Sequence, residues 1–177
     1  MFPKIDQIVN KWRRFAVILI SAGAVLVEWG CGVYSFSGSA YPHIKSIAIP
    51  LFEDRTAEFG VRENLTNALV EAFTRDNTLK IADRRNADAI LEGVLMRVED
   101  RPGAYNRQEQ VQEIQVFLTV QIKYRDLKKR KIIWEDTISQ FGTYAPGGSE
   151  NSTREDAISE AIAKIADEVL NRTVSGW

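Results

Sequence analysis

The sequence predicts an α+β domain: two helices covering one face of a largely antiparallel sheet. Three observations lead there. Ile114 to Tyr124 alternate apolar and polar residues without a break, two separate stretches carry apolar residues at helical spacing, and the element order is strand, helix, several strands, helix.

The chain first carries an address. Lys4, Lys11, Arg13 and Arg14 precede an apolar run of thirteen residues, Phe15 to Val27, and the only cysteine, Cys31, follows Gly30. Such a run is too short to span a membrane, which takes ~20 apolar residues, but has the length of a signal-peptide core. A lone cysteine in an exported protein has no internal disulfide partner, so Cys31 reads as a lipid acceptor. Residues 1–30 are then a lipoprotein-type signal peptide, residues 31–43 a lipidated tether and residues 44–177 a single domain. Glu28 and Trp29 depart from the usual residues before a lipidated cysteine. Two alternatives follow from them: an uncleaved anchor, or ordinary cleavage near Gly38, Ser39 and Ala40. Export is common to all three readings.

Removing residues 1–31 leaves 19 basic against 22 acidic side chains among 146 residues, a net charge of −3. That size suits one domain with its own core, and that balance does not suit a nucleic-acid binder. With His43 the only histidine, the chain assembles neither a zinc site nor a Ser/His/Asp or Cys/His relay. No carboxylate pair stands out, and the expectation is a non-enzymatic protein without cofactor or metal. His43, beside Pro42, reads as a turn residue.

Within the domain, Ile44 to Leu51 form a short first strand ending near Pro50, with Phe52 to Thr56 as its exit loop. Val61, Leu65, Ala68, Leu69, Ala72 and Phe73 then recur at three- and four-residue intervals, predicting an amphipathic helix that ends at Asp76 and Asn77. Leu79 and Ile81 are short-strand residues, and Asp83 to Asp88 a charged connection. Ala89 to Val98 are apolar on both faces at the start, which predicts a central strand closed by Pro102 and Gly103. The polar stretch to Gln112 fits either a broad loop or an extended hairpin tip.

Ile114 to Tyr124 give the strongest strand. A register slip of one residue would move Val116, Leu118, Val120 and Ile122 into water, forfeiting ~1.5–3 kcal/mol each. Arg125 to Arg130 make a basic turn, and Ile132, Trp134, Ile138 and Phe141 lie on the return strand, completing an antiparallel hairpin with a cationic tip. Gly142 to Asn151 read as a breaker-rich loop. Ser152 and Glu155 have capping-box spacing, and Ala157 to Leu170 trace one face of a helix of about five turns.

Taken in order, several segments resemble the lipopolysaccharide-assembly lipoprotein family LptE. They are Cys31-Gly-Val-Tyr-Ser-Phe-Ser-Gly38, Ile47-Ala-Ile-Pro-Leu-Phe-Glu-Asp-Arg-Thr56, Leu65-Thr-Asn-Ala-Leu69, Ala87-Asp-Ala-Ile-Leu-Glu-Gly93, Tyr124-Arg-Asp-Leu127, Trp134-Glu135 and the closing helix. The likeness covers essentially the whole mature chain. It implies two helices packed on one face of a four-stranded sheet, in a lipoprotein at the outer membrane that plugs a large LptD-like β-barrel from inside its lumen, helps it assemble, and assists lipopolysaccharide transport to the outer leaflet. Gly32 after Cys31 agrees with the usual sorting to that membrane. Gln115, Thr119 and Gln121 would supply a polar surface for a polar lumen. Lipopolysaccharide bears phosphates, so Lys128, Lys129, Arg130 and Lys131, the densest basic cluster, are the candidate contacts, ahead of Arg84 and Arg85. The alternative is an envelope scaffold or secretion-pore lipoprotein of the curli type, with a similar Ile-Ala-Ile-Pro strand. A pore would need long hairpins apolar on their lipid face, and Glu135 and Asp136 interrupt that pattern on the return strand.

Overall fold

The computed structural model describes residues 41–147 and 153–175; the Cys31 region and Ser152 lie outside them. The elements are β1 (Ser46–Ala48), β2 (Glu53–Asp54), α1 (Val61–Asp76), β3 (Lys80–Ile81), β4 (Ala89–Tyr105), β5 (Val111–Asp126), β6 (Lys131–Tyr144) and α2 (Arg154–Val174). They form one six-stranded sheet in the order β3-β1-β4-β5-β6, with β2 also paired to β4.

The sheet is mixed, which corrects the four-stranded, largely antiparallel expectation. β4–β5 and β5–β6 are antiparallel, whereas β1 pairs parallel with both β3 and β4, and β2 pairs parallel with β4. The cause lies in the N-terminal third. Pro50 has no N–H to give a ladder, so the first strand breaks into β1 and β2, with β2 inside the segment expected to be exit loop. Helix α1 then carries the chain back to lay β3 parallel to β1, a crossover that a parallel pair requires.

β5 contributes the core face. Val116, Leu118, Val120 and Ile122 have no exposed surface, and they pack with Leu65, Leu69 and Phe73 of α1 and Ala161, Ile165 and Val169 of α2. Both helices lie on this face. The α1 stripe is buried as its spacing predicts, except that Thr66 is buried where Ala68 is only half so. Asn77 ends the helix in the left-handed conformation and returns its N–H to the Phe73 carbonyl.

Two glycines let the layers close. A β-carbon on Gly93 would overlap the Phe52 ring, and one on Gly142 would overlap the Ala157 carbonyl oxygen. Gly142 therefore belongs to β6 rather than to the predicted loop, and its missing side chain seats the first turn of α2. That turn is capped by Thr153, whose side chain accepts the Asp156 N–H while Asp156 accepts the Thr153 N–H. The expected Ser152/Glu155 box is displaced by one residue, because Thr153/Asp156 repeats the same spacing. The helix it starts runs 21 residues, nearly six turns.

β4 runs through Pro102 and Gly103 to Tyr105, past its predicted close. Among the described residues no strand pairs with its outer edge beyond Leu95, so Pro102 withholds no ladder bond there, and register shifts at Pro102/Ala104 and Ala104/Tyr105 absorb the irregularity. The stretch to Gln112 is thus the extended hairpin tip. Arg154 ties this ribbon down: its Nε donates to Asp100 (3.0 Å), and Nη1 and Nη2 donate to Glu58 (3.1 and 2.9 Å). Tyr144 adds a hydroxyl bond to Asp100 (3.0 Å).

Candidate functional surfaces

Two surfaces stand apart from the core: the sheet face the helices leave uncovered, and a cationic pole at the end where the described chain begins.

On the uncovered face β5 presents Gln115, Phe117, Thr119, Gln121, Lys123 and Arg125, all half-buried. Their neighbours follow from the register: Phe117 opposite Phe141, Thr119 opposite Ser139, Gln121 opposite Thr137, Lys123 opposite Glu135. Phe117 and Phe141 meet with ring centroids 5.0 Å apart, the Arg101 guanidinium lies 4.6 Å from the Phe117 ring, and Thr119 and Ser139 share a 3.1 Å hydrogen bond. Glu92 binds Arg125 at 2.9 Å and Arg84 at 3.3 Å, and Lys123 reaches Glu135 at 3.1 Å. Arg84, Glu92, Lys123 and Glu135 line a shallow cavity of about 370 Å³ walled on one side by Pro50 and Leu51. The charges answer one another, so the face is hydrophilic without strong net sign. It offers hydroxyls, amides and flat aromatic edges, suited to broad polar contact. Its β6 edge is partly closed by α2: Glu160 accepts the Thr143 N–H at 3.2 Å, and Lys164 donates to the Phe141 carbonyl at 2.8 Å.

The pole is built around Asp88. Its carboxylate accepts the N–H groups of Lys45 (2.8 Å) and Ser46 (3.1 Å) and pairs with Lys128 Nζ (2.6 Å), while its carbonyl accepts the Leu127 N–H (2.9 Å). Lys128 and the Lys45 N–H hold this carboxyl down at about 2. Asp126, almost wholly buried, does the matching work from β5. It accepts the Lys129 N–H (2.8 Å) and faces His43 Nε2 at 2.5 Å. Burial would raise its pKa, but these two donors outweigh burial and lower it. The turn between β5 and β6 is thereby locked beside the first residues of β1.

Of the four predicted turn cations, Lys128 is spent on Asp88, and Lys129, Arg130 and Lys131 stay exposed with no ion pair among the described residues. Arg130 sits at φ 53°, a left-handed conformation that glycine or asparagine adopts more readily. The structure adds Lys45 and Lys80 to the cluster, joined by a bond from the Lys80 N–H to the Lys45 carbonyl (3.0 Å). Lys45 and Lys80 escaped the sequence reading because they lie 84 and 49 positions before Lys129. Arg84 is on the open face with Glu92, and His43 is the turn residue expected, with an added partner in Asp126.

Among the described residues no helix is long and apolar enough to cross a membrane, and no group of three or more His, Cys, Asp or Glu side chains gathers as metal ligands would.

The lipopolysaccharide-assembly family profile LptE matches residues 44–173. No curated sequence matches the chain. A hypothetical protein of Chlamydia trachomatis shares the fold at 8% identity and TM-score 0.57, covering 73% of this chain and 95% of its own. A protein of Xanthomonas campestris does so at 11% and 0.54, covering 73% and 84%. The minor lipoprotein of Acinetobacter baumannii stands at 17% and 0.50, covering 73% and 90%.

Proposed function

The chain belongs to the LptE family of lipopolysaccharide-assembly proteins, and from that premise we propose that it works as the plug of a large outer-membrane β-barrel through which lipopolysaccharide reaches the outer leaflet. It is an outer-membrane lipoprotein of lipopolysaccharide assembly, and its family is non-enzymatic. The family match carries the reading. The uncovered sheet face supports it, because a barrel lumen is polar and this face meets it with paired charges, hydroxyls and amides rather than apolar surface.

Copurification tests the plug. The chain should come out in a stoichiometric complex with one large β-barrel protein; recovery solely as a homo-oligomeric ring rejects the plug and returns the secretion-scaffold alternative. The β6 charges Glu135 and Asp136 do not break the strand, which is continuous from Lys131 to Tyr144, but they leave it without an apolar lipid-facing stripe. That disfavours a membrane hairpin.

For lipopolysaccharide itself the candidate remains the turn, with contact falling to Lys129, Arg130 and Lys131. Reversing these three to Glu is expected to weaken lipopolysaccharide binding and leave the melting transition in place; unchanged binding removes the site. At the N-terminus we propose acylation of Cys31 after removal of residues 1–30, read by mass spectrometry of the mature end.

A further inference from the structure

We propose that the cationic pole is a membrane-resting surface, docking on the anionic phospholipid headgroups of the leaflet that holds the N-terminal segment. Three independent observations lead to it.

The first is where unpaired positive charge sits. Among the described residues every Lys and Arg has an acidic partner within 4.0 Å except Lys45, Lys80, Lys129, Arg130 and Lys131 at the pole, and Arg55, Arg85 and Arg107 elsewhere. Five of the eight unpaired cations among the described residues thus gather at one end, in a chain of net charge −1. The acids there, Asp88 and Asp126, are turned inward on backbone N–H groups, and Asp76 is occupied by the Thr78 N–H.

The second is construction. Asp88 and Asp126 fix the turn to the start of β1, so the cations are presented on a rigid base rather than a waving loop. Arg130 keeps its charge at a position whose backbone favours glycine.

The third is connectivity. The described chain begins at Tyr41, whose ring stands 6.3 Å from the His43 ring, and His43 binds Asp126 beneath the turn. Cys31 precedes Tyr41 by ten residues. Ten extended residues reach at most ~35 Å, whereas the strand length of β5 alone is ~50 Å. Anchored at Cys31, the chain holds this pole against the bilayer and keeps the far hairpin tip away from it. Near an anionic surface each Lys or Arg favours docking by about fivefold, and the attraction dies within a Debye length of ~8 Å, so a short tether and a charged pole act together.

The proposal rests on the family reading and on the Cys31 anchor proposed above to place the chain at a membrane, and its test contains no barrel, so the plug and the pole can fail separately. The full chain is inserted into vesicles of phosphatidylcholine, with or without phosphatidylglycerol, or with lipopolysaccharide in its place, and lysine acetylation rates are read by mass spectrometry. With phosphatidylglycerol, Lys45, Lys80, Lys129 and Lys131 should be acetylated at least about tenfold more slowly than in phosphatidylcholine, and high salt should restore the rate. Lys123 and Lys164, away from the pole, serve as internal controls and should not change. Combining Arg130→Gln with Lys129→Gln and Lys131→Gln should abolish protection of Lys45 and Lys80, whereas Arg97, Arg101 and Arg107 changed together to Gln should leave it, at equal net charge. Arg130→Gly should reduce protection while leaving the melting temperature unchanged or higher. Equal rates in all vesicles, protection confined to those with lipopolysaccharide, or equal loss from the distant triple variant would overturn the proposal.

Discussion

The two faces of β5 are made by the same sixteen residues and do opposite things. On one, Val116, Leu118, Val120 and Ile122 vanish beneath two helices. On the other, Gln115, Thr119, Gln121 and Lys123 stay half open, each paired sideways across the sheet or with a neighbour on its own strand. The covered face stabilises the domain through area removed from water. The open face contributes little to stability, because exposed pairs contribute ~0–1 kcal/mol. A strand can therefore carry a strict hydrophobic register on one side while its other side stays free to be shaped by a partner.

Breaking the covered face should have the largest effect. Leu118→Ala is expected to destabilise by about 3 kcal/mol through lost burial and a residual cavity, read as a lowered denaturation midpoint at unchanged slope. Gly142→Ala should cost about 2 kcal/mol, since the new methyl meets a main-chain carbonyl of α2 that moves only with the helix. A loss below the noise of the measurement would show that α2 is seated less firmly than the contact implies.

Asp88→Asn should cost roughly 2 kcal/mol at neutral pH. The carboxyl titrates at about 2 in the folded chain, below the ~3.9 of an unfolded aspartate. Its contribution is accordingly full above the unfolded value and lost as pH falls through the folded one. Wild type and variant should converge in stability as pH approaches that lower value, and a gap independent of pH would reassign the loss to packing.

The smallest stability effect sharpens the contrast most. Thr119→Trp, on the open face, should move the melting transition by less than about 0.5 kcal/mol equivalent, yet abolish recovery of the barrel complex if that face is what docks. Retained recovery would move the contact to another surface.

How far the sequence discloses this molecule depends on the distance over which each feature is encoded. β5 and both helices are legible because their periodicity runs over more than ten residues. β1, β2 and β3 are two or three residues long, and no period exists in so short a run; their parallel pairing is set by the α1 crossover and the Pro50 break. Pro102 misled as a terminator because no strand among the described residues pairs on its outer side, which only the assembled sheet reveals. The lysine run of the turn is visible as a cluster. Its foundation is not: His43 lies 83 positions from Asp126, and Lys45 43 from Asp88. One expected turn cation, Lys128, proves to be a structural strut for the same reason.

Tyr41 and Ile44 at the start of the domain line the same small cavity as Thr173 and Val174 at its close. Head and tail being adjacent, a few flexible residues would suffice to splice them and open new termini at Asn106–Gln110. Such a circular permutant would retain the sheet while moving the natural entry point of the chain to the opposite end of the molecule, thereby separating what depends on where the chain enters the domain from what depends on the fold alone.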